Sequence, residues 1–515
     1  MKAPATLRSI GAVVFLLAPT FPTTLAAQEQ RTEHLPRHYV LRDLGTFGGP
    51  DSTLLEFQIT VNNEGVVAAG ADTSMPDPLS PHCFNFLDPP ATDCFVQHGA
   101  RFENGVLTDL GTLPGGYFSF AQEINDEGLI AGSSENGQTD PLTGTPAFHS
   151  VLWRGDKIID LGTLDGGSES QGIAINDRDQ VVGYSQNTTP EALSISALFG
   201  ANYGTQSRAF LWEKGVLQDL GTLGGNDAYA VALNESGQII GFSYSDSTPN
   251  LTTGFPTLDP FIWESGKMTD IGTLGGKFGL AFWINERGQV VGQSNLAGDT
   301  AFHPFLWERG KLIDLGTLGG NTGFPSMINN AGQIVGLADT SQSNFLLHHA
   351  FFWKEGRMID LGTTNGDPCS IAHAINSEGV IVGASDNCVS ESGHAFVSDN
   401  GAPLIDLNTL IPANSSLTLV RARFINDRGE IAGIGVPPGV PNENVETQGH
   451  AFLLIPCDDD QDNAAVPASQ TATMPPSSSI GNSLSHPVAA RSPTMTVKGR
   501  FHNPYTMTQP KPTNY

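Results

Sequence analysis

One phrase returns eight times along this chain: an apolar strand ending in Asn-x-x-Gly, a second apolar strand ending in Gly, a segment close to Ala-Phe-Leu-Trp, then Asp-Leu-Gly-Thr-Leu-Gly-Gly. The Asp of the last segment stands at Asp43, Asp109, Asp160, Asp219, Asp270, Asp314, Asp360 and Asp406, with the longer spacings in the first half. The turn Asn keeps step at Asn62, Asn125, Asn176, Asn234, Asn285, Asn329, Asn376 and Asn426. Two markers in one register at this period indicate a solenoid or a propeller. A residue used eight times is first a scaffold residue, since a catalytic group is needed once.

Each unit reads as four short strands; in the fifth these are 281–285, 289–292, 304–307 and 311–315. The Asn-x-x-Gly link suits a type I turn, with Asn accepting at the first position and Gly taking a positive φ at the fourth. Seven units carry that Gly, and the third has Asp179, a side chain that tolerates the left-handed region. Four-stranded antiparallel units repeated radially predict an all-β fold, a β-propeller of eight blades. Small residues such as Ala121, Gly172, Ala230, Ala281 and Ala372 mark the first strand as innermost, where blades converge. The third strand, with Trp153, Trp212, Trp263, Trp307 and Trp353, fills the widening gap further out. The segment 39–44 is a fourth strand with nothing before it, while the last unit lacks a fourth strand. The N-terminal strand is therefore expected to complete the C-terminal blade and remove an open edge. A seven-bladed ring and a parallel β-solenoid are the alternatives.

His-Ala-Phe-Leu-Trp-x-x-Gly followed by Asp-Leu-Gly-Thr-Leu-Gly-Gly, seen as His349-Ala350-Phe351-Phe352-Trp353 and His394-Ala395-Phe396, resembles the HAF repeat family of bacterial extracellular repeat proteins. The resemblance covers about residues 39–455 and implies location and repeat architecture, with no activity attached. The first unit departs from it at Asp93-Cys94-Phe95-Val96-Gln97, and the last has Leu454 in the Trp position.

Lys2 and Arg8, the apolar run 11–19 and the small residues at 24–27 predict a cleaved signal peptide over 1–27 and a secreted or periplasmic protein. Residues 28–38 then form a linker, 39–456 the propeller and 457–515 a disordered low-complexity tail, which is too poor in apolar clusters to offset its ordering entropy. The chain carries 25 basic and 53 acidic residues, a formal charge of −28, which argues against nucleic acid and anionic membrane as partners. No stretch is long and apolar enough to insert in a bilayer, and a monomer is expected. In an exported chain the five cysteines suggest the bridges Cys83–Cys94 and Cys369–Cys388, with Cys457 free.

The position before Ala-Phe holds His149, His303, His349, His394 and His450, with Asp93, Arg208 and Asp259 in the other units. One histidine per blade cannot converge on one ion, so a structural hydrogen-bonding role is expected, with no metal site and no cofactor. The chain lacks nucleophile-elbow, zinc-protease, phosphate-loop and dinucleotide motifs. These observations favour a ligand- or carbohydrate-binding or surface interaction module, its ligand a glycan or a protein. The alternative is an extracellular propeller enzyme, a hydrolase or lyase, with its site at the channel mouth. Candidate ligand contacts are aromatics in the long insertions of the first four units, Phe84, Phe86, Tyr184, Tyr203 and Tyr244, and unrepeated polar groups on the innermost strands, Gln122, Glu123, His373, Arg421 and Arg423.

Overall fold

A computed structural model describes residues 35–457 except 37, 79, 81–82, 84–92, 199–203, 252–253, 341–346 and 389–391. The expected signal peptide and tail lie outside these. The described chain is all-β, with seven sheets of which six have four strands and one has eight. The eight-stranded sheet holds two four-stranded units that meet in a parallel pairing of Leu258 with Phe278. Within each unit the strands pair antiparallel in chain order, the organisation of a propeller blade. Helix is confined to short turns such as Ile195–Leu198 and Val445–Gln448. Among the described residues no helix is long and apolar enough to cross a membrane.

Units are numbered 1 to 8 along the chain, with innermost strands Gly48–Thr53, Ser119–Ile124, Ser170–Ile175, Ala228–Leu233, Gly275–Ile284, Gly323–Ile328, Cys369–Ile375 and Thr418–Ile425. Unit 8 takes its fourth strand from the other end of the sequence. His38–Asp43 pairs antiparallel with His450–Cys457, Val40 opposite Ile455. The two ends of the repeat region are thus joined by main-chain bonds, as the phase of the repeat predicts.

The turn Asn does two jobs. Its Oδ1 accepts the N–H four residues on in all eight units, from Val66, Leu129, Gln180, Gln238, Gln289, Gln333, Val380 and Glu430, and so closes its own hairpin. Its Nδ2 donates to the main-chain carbonyl of the next unit's Asn, from Asn62 to Asn125 and onward, at 2.8 to 3.2 Å. The eighth such bond, from Asn426, returns to Asn62. Only Asn fits, because Asp lacks the donor and Gln carries its amide a methylene too far. The third-unit turn keeps its form with Asp179 at φ +58°.

Apolar clusters straddle neighbouring units, as where Ala174 and Leu211 of unit 3 meet Phe261 and Trp263 of unit 4. The largest joins units 7, 8 and 1 with the N-terminal strand, through Val382, Phe452, Ala69 and Tyr39. Inner strands of units 2 to 8 bulge three residues before the turn Asn, which bends them along the axis.

Both expected disulfides form, Cys83–Cys94 and Cys369–Cys388, with Cα–Cα distances of 5.2 and 5.1 Å, and Cys457 is free. The long insertions begin as strand rather than loop. The second strands of units 1, 2 and 3 run on to Pro76, Thr139 and Pro190 and re-pair with Phe95, Pro146 and Thr205 after a register shift.

Replacing Asn234 tests the double role of the turn residue. Asn234→Ala leaves the Gln238 N–H without its partner and takes one of two donors from the Asn285 carbonyl, which keeps the Gly288 N–H; it is expected to cost about 1–3 kcal/mol, while Asn234→Asp, which keeps the acceptor, costs less. Thermal unfolding checks this order; two variants melting with the parent would contradict it.

Candidate axial chamber

Each repeat phrase is a local circuit. The His of the third strand hydrogen-bonds through Nδ1 to the Asp of the outer strand at 2.8 to 3.0 Å, as in His149 with Asp160, His303 with Asp314, His349 with Asp360 and His450 with Asp43. The same Asp accepts the N–H of the Gly two residues on, as at Gly162 and Gly316. Arg208 replaces the His in unit 3 and still meets Asp219. Partial burial would raise these carboxylates, yet the His and Gly bonds outweigh it and hold Asp160 and Asp314 below their ordinary range. The histidines are scaffold, as expected. In unit 1, however, the occupant of this position is His98, paired with Asp109, and not Asp93. His394 also departs, reaching Asp367, because Asp406 instead caps the turn at Asn408.

The innermost strands surround a chamber of about 320 Å³ on the side of the Asn turns. Apolar side chains of Ile59, Val61, Val231, Leu233, Trp283, Met327 and Phe424 form part of its wall. Around its mouth stand the residues that follow the turn Asn, among them Asp126, Asp177, Glu235, Glu286 and Asp427. Those carboxylates accept main-chain N–H groups of the preceding unit, Asp126 from Asn63 and Asp177 from Asp126, and so reinforce the Asn series.

Inside the wall sits one carboxyl, Glu123, only 6% exposed. Its oxygens accept from Ile59 N–H of unit 1 at 3.4 Å and Ile175 N–H of unit 3 at 3.3 Å, so it ties three units together at the axis. Burial pushes it up to about 8 against the pull of those two N–H groups, and Glu235 adds to the rise.

Unit 1 breaks the symmetry. Asn62 lies 13 residues after Gly49, whereas Asn125, Asn176, Asn234, Asn285 and Asn329 lie 9 after their Gly-Gly. The surplus forms a turn that puts Phe57 at φ +59°, an unusual conformation for a bulky side chain. Phe57 lines the chamber and packs on Phe324 of unit 6, with ring centroids 5.3 Å apart, and Phe324 lies 4.4 Å from Phe282 of unit 5. The length surplus was the available sequence signal for this residue, and the repeat hid it.

The sequence-predicted contacts divide accordingly. Glu123 lines the chamber; Gln122 is buried at the bulge beside it. Arg423 pairs with Glu56 at 2.5 Å, which anchors the Phe57 turn, and stands 3.5 Å from His373. Arg421 pairs with Glu446 at 2.5 Å. Each arginine thus has a carboxylate partner, which leaves neither as the holder of an anionic ligand. The expectation for Tyr184 and Tyr244 is corrected, because both are core residues, 3% and 1% exposed. Tyr184 stacks on Tyr229 with centroids 3.9 Å apart. Phe84, Phe86 and Tyr203 lie outside the described residues.

No family model and no curated protein matches the chain, so the HAF resemblance rests on the repeated phrase alone. Among solved structures, an acylaminoacyl peptidase from Pyrococcus horikoshii is 11% identical with a TM-score of 0.40, over 77% of this chain and 59% of that one. The β-propeller domain of the Trilobed protease from Pyrococcus furiosus, described as having an open velcro topology, is 8% identical with a TM-score of 0.39, over 72% and 96%. A polysaccharide lyase, an ulvan lyase, is 10% identical with a TM-score of 0.34, over 80% and 95%. Likeness this distant carries nothing about the fold or activity here, and the chain spans 59% of the peptidase's length.

Glu123 gives a pH prediction. A carboxyl raised from 4.5 to about 8 on folding costs nothing below pH 4.5, and its cost grows as pH rises toward 8. Glu123→Gln removes that slope. The variant is expected to match the parent near pH 4.5 and to melt a few degrees higher at pH 8. Parallel melting curves of the two proteins across that range would contradict the assignment.

Proposed function

We propose that the chain forms a closed eight-bladed propeller, exported from the cell, that serves as a ligand-binding module with its site in the axial chamber. Three features support closure: the Asn series that returns from Asn426 to Asn62, the pairing of His38–Asp43 with the last unit, and the apolar cluster spanning units 7, 8 and 1. Export is supported by the two disulfides, which persist in oxidising compartments.

The observation that carries the binding role is the chamber itself. A volume of about 320 Å³ that combines apolar side chains, polar turn residues and a buried carboxyl has the make-up of a small-ligand site. Its asymmetry is built by residues outside the repeat: Phe57 on its extra-length turn, and Glu123 where other units carry Ala174, Ala232 or Ala374. Repeated residues hold the scaffold; the unrepeated ones shape the hollow.

A hydrolase or lyase is the second reading, and one observation favours it. On the insertion face Asp72 hydrogen-bonds Asp93, and burial first, then Asp93, holds Asp72 protonated well above the ordinary carboxyl range. A carboxyl held protonated beside a second carboxyl is able to act as a general acid.

Filling the chamber separates the readings. Ala232→Phe places a ring where Ala232 meets the cavity. In a panel of metabolites and oligosaccharides, the binding module predicts saturable binding by the parent, lost in this variant, without turnover. Binding retained at full affinity, or substrate consumption abolished by Asp93→Asn, would overturn it in favour of a surface site or an enzyme.

A further inference from the structure

The chemistry of the chamber narrows its ligand, given the reading of the chamber as the binding site. Among the described residues no Lys, Arg or His lines the chamber. The arginines nearest the axis are already taken, Arg421 by Glu446 and Arg423 by Glu56. Glu123 is thus a buried carboxyl among aliphatic and aromatic side chains, held only by two N–H groups at 3.3 and 3.4 Å.

We propose that the chamber binds an organic cation, an ammonium compound with an apolar body, and that Glu123 is its counter-ion. An anion is disfavoured by the carboxyl inside and by the acidic residues at the mouth, which draw cations toward the opening. A small metal ion needs several oxygen ligands together, and among the described residues no group of three or more His, Cys, Asp or Glu side chains is placed to hold one. A sugar needs several converging donors and acceptors, whereas the turn Asn amides that line the chamber are engaged with main-chain groups. An ammonium group on an apolar body matches every part. Its charge meets Glu123, its hydrocarbon meets Val231, Leu233 and Met327, and Trp283 and Phe424 offer aromatic faces that attract a desolvated cation. Phe57, packed on Phe324, adds a further aromatic side chain to the lining.

The ionisation of Glu123 supports this assignment. With its carboxyl pushed up to about 8 by burial, the empty chamber holds it mostly neutral near pH 7, and an arriving cation favours the carboxylate. Cation binding therefore releases a proton at neutral pH. Of the other titratable groups at the chamber, Glu235 is the one that acts on Glu123, and it raises it further.

The test uses benzyltrimethylammonium as probe and neopentylbenzene as its uncharged isostere, with titration calorimetry in two buffers of different ionisation enthalpy. The cation is expected to bind once per chain, at least about tenfold more tightly than the isostere. Glu123→Gln should weaken the cation by about tenfold or more and abolish the buffer-dependent heat. Trp283→Leu, which leaves Glu123 in place, should weaken the cation and spare the isostere. Failure of the cation to bind overturns the proposal. So does equal binding of cation and isostere that is indifferent to Glu123→Gln. In that last case loss of both in Ala232→Phe would leave the chamber as a binding site and remove only its cationic specificity, whereas retention of both would remove the chamber as well.

Discussion

One side-chain amide sets the geometry of this protein. An Asn at the first position of each inner hairpin closes its own turn through Oδ1 and reaches the next unit's main chain through Nδ2, eight times over. A bond of this kind is worth only about 1 kcal/mol. Its importance lies in position, because it fixes the distance between neighbouring turns, where the inner strands come together. The next residue repeats the device with a side-chain acceptor, as where Ser377 N–H meets Asp427. Further from the axis the His–Asp pairs and the interblade apolar clusters act at larger radius on the same register.

Much of this was legible because it is periodic. The Asn, Gly, His and Asp positions recur, and a residue that recurs in every unit serves what every unit needs. The N-terminal strand followed from phase alone: a fourth strand at 39–44 and a missing one after 455 are complementary, and the pairing of Val40 with Ile455 realises it. Where the repeat drifts, the reading slipped. In unit 1 the apolar phrase becomes Gly99-Ala100-Arg101-Phe102, and matching on Phe95 placed Asp93 where His98 stands. The distance of 11 residues from His98 to Asp109, shared with His149 to Asp160 and His349 to Asp360, carried the correct register.

The candidate site was less legible, because it is made of exceptions. Glu123 was visible as an unrepeated polar residue on an inner strand, but nothing in sequence says that its neighbours across the axis are apolar. Tyr184 and Tyr244 read as loop aromatics, yet the insertions continue as paired strand and bury them against Tyr229 and Phe242. Arg421 and Arg423 stood out as unrepeated cations, but which carboxylates they meet was hidden: Glu446 and Glu56 come from a connecting helix and an irregular turn that the repeat does not describe. Phe57 depends on a four-residue surplus that matters only because it falls at the axis.

The account rests on the two ends of the repeat region being held together, and the register offers a direct check. His38 lies opposite Cys457, the free thiol among the described cysteines, and directly paired strand residues lie within the Cα separation that a disulfide spans. In His38→Cys, oxidation should link positions 38 and 457 within one chain, and the linked peptide should be recovered by mass spectrometry. After a single proteolytic cut in an insertion the oxidised chain should also stay in one piece until reduced. A free thiol at position 38 in the folded, oxidised protein, or links formed only between chains, would show that the N-terminal strand does not complete the last unit.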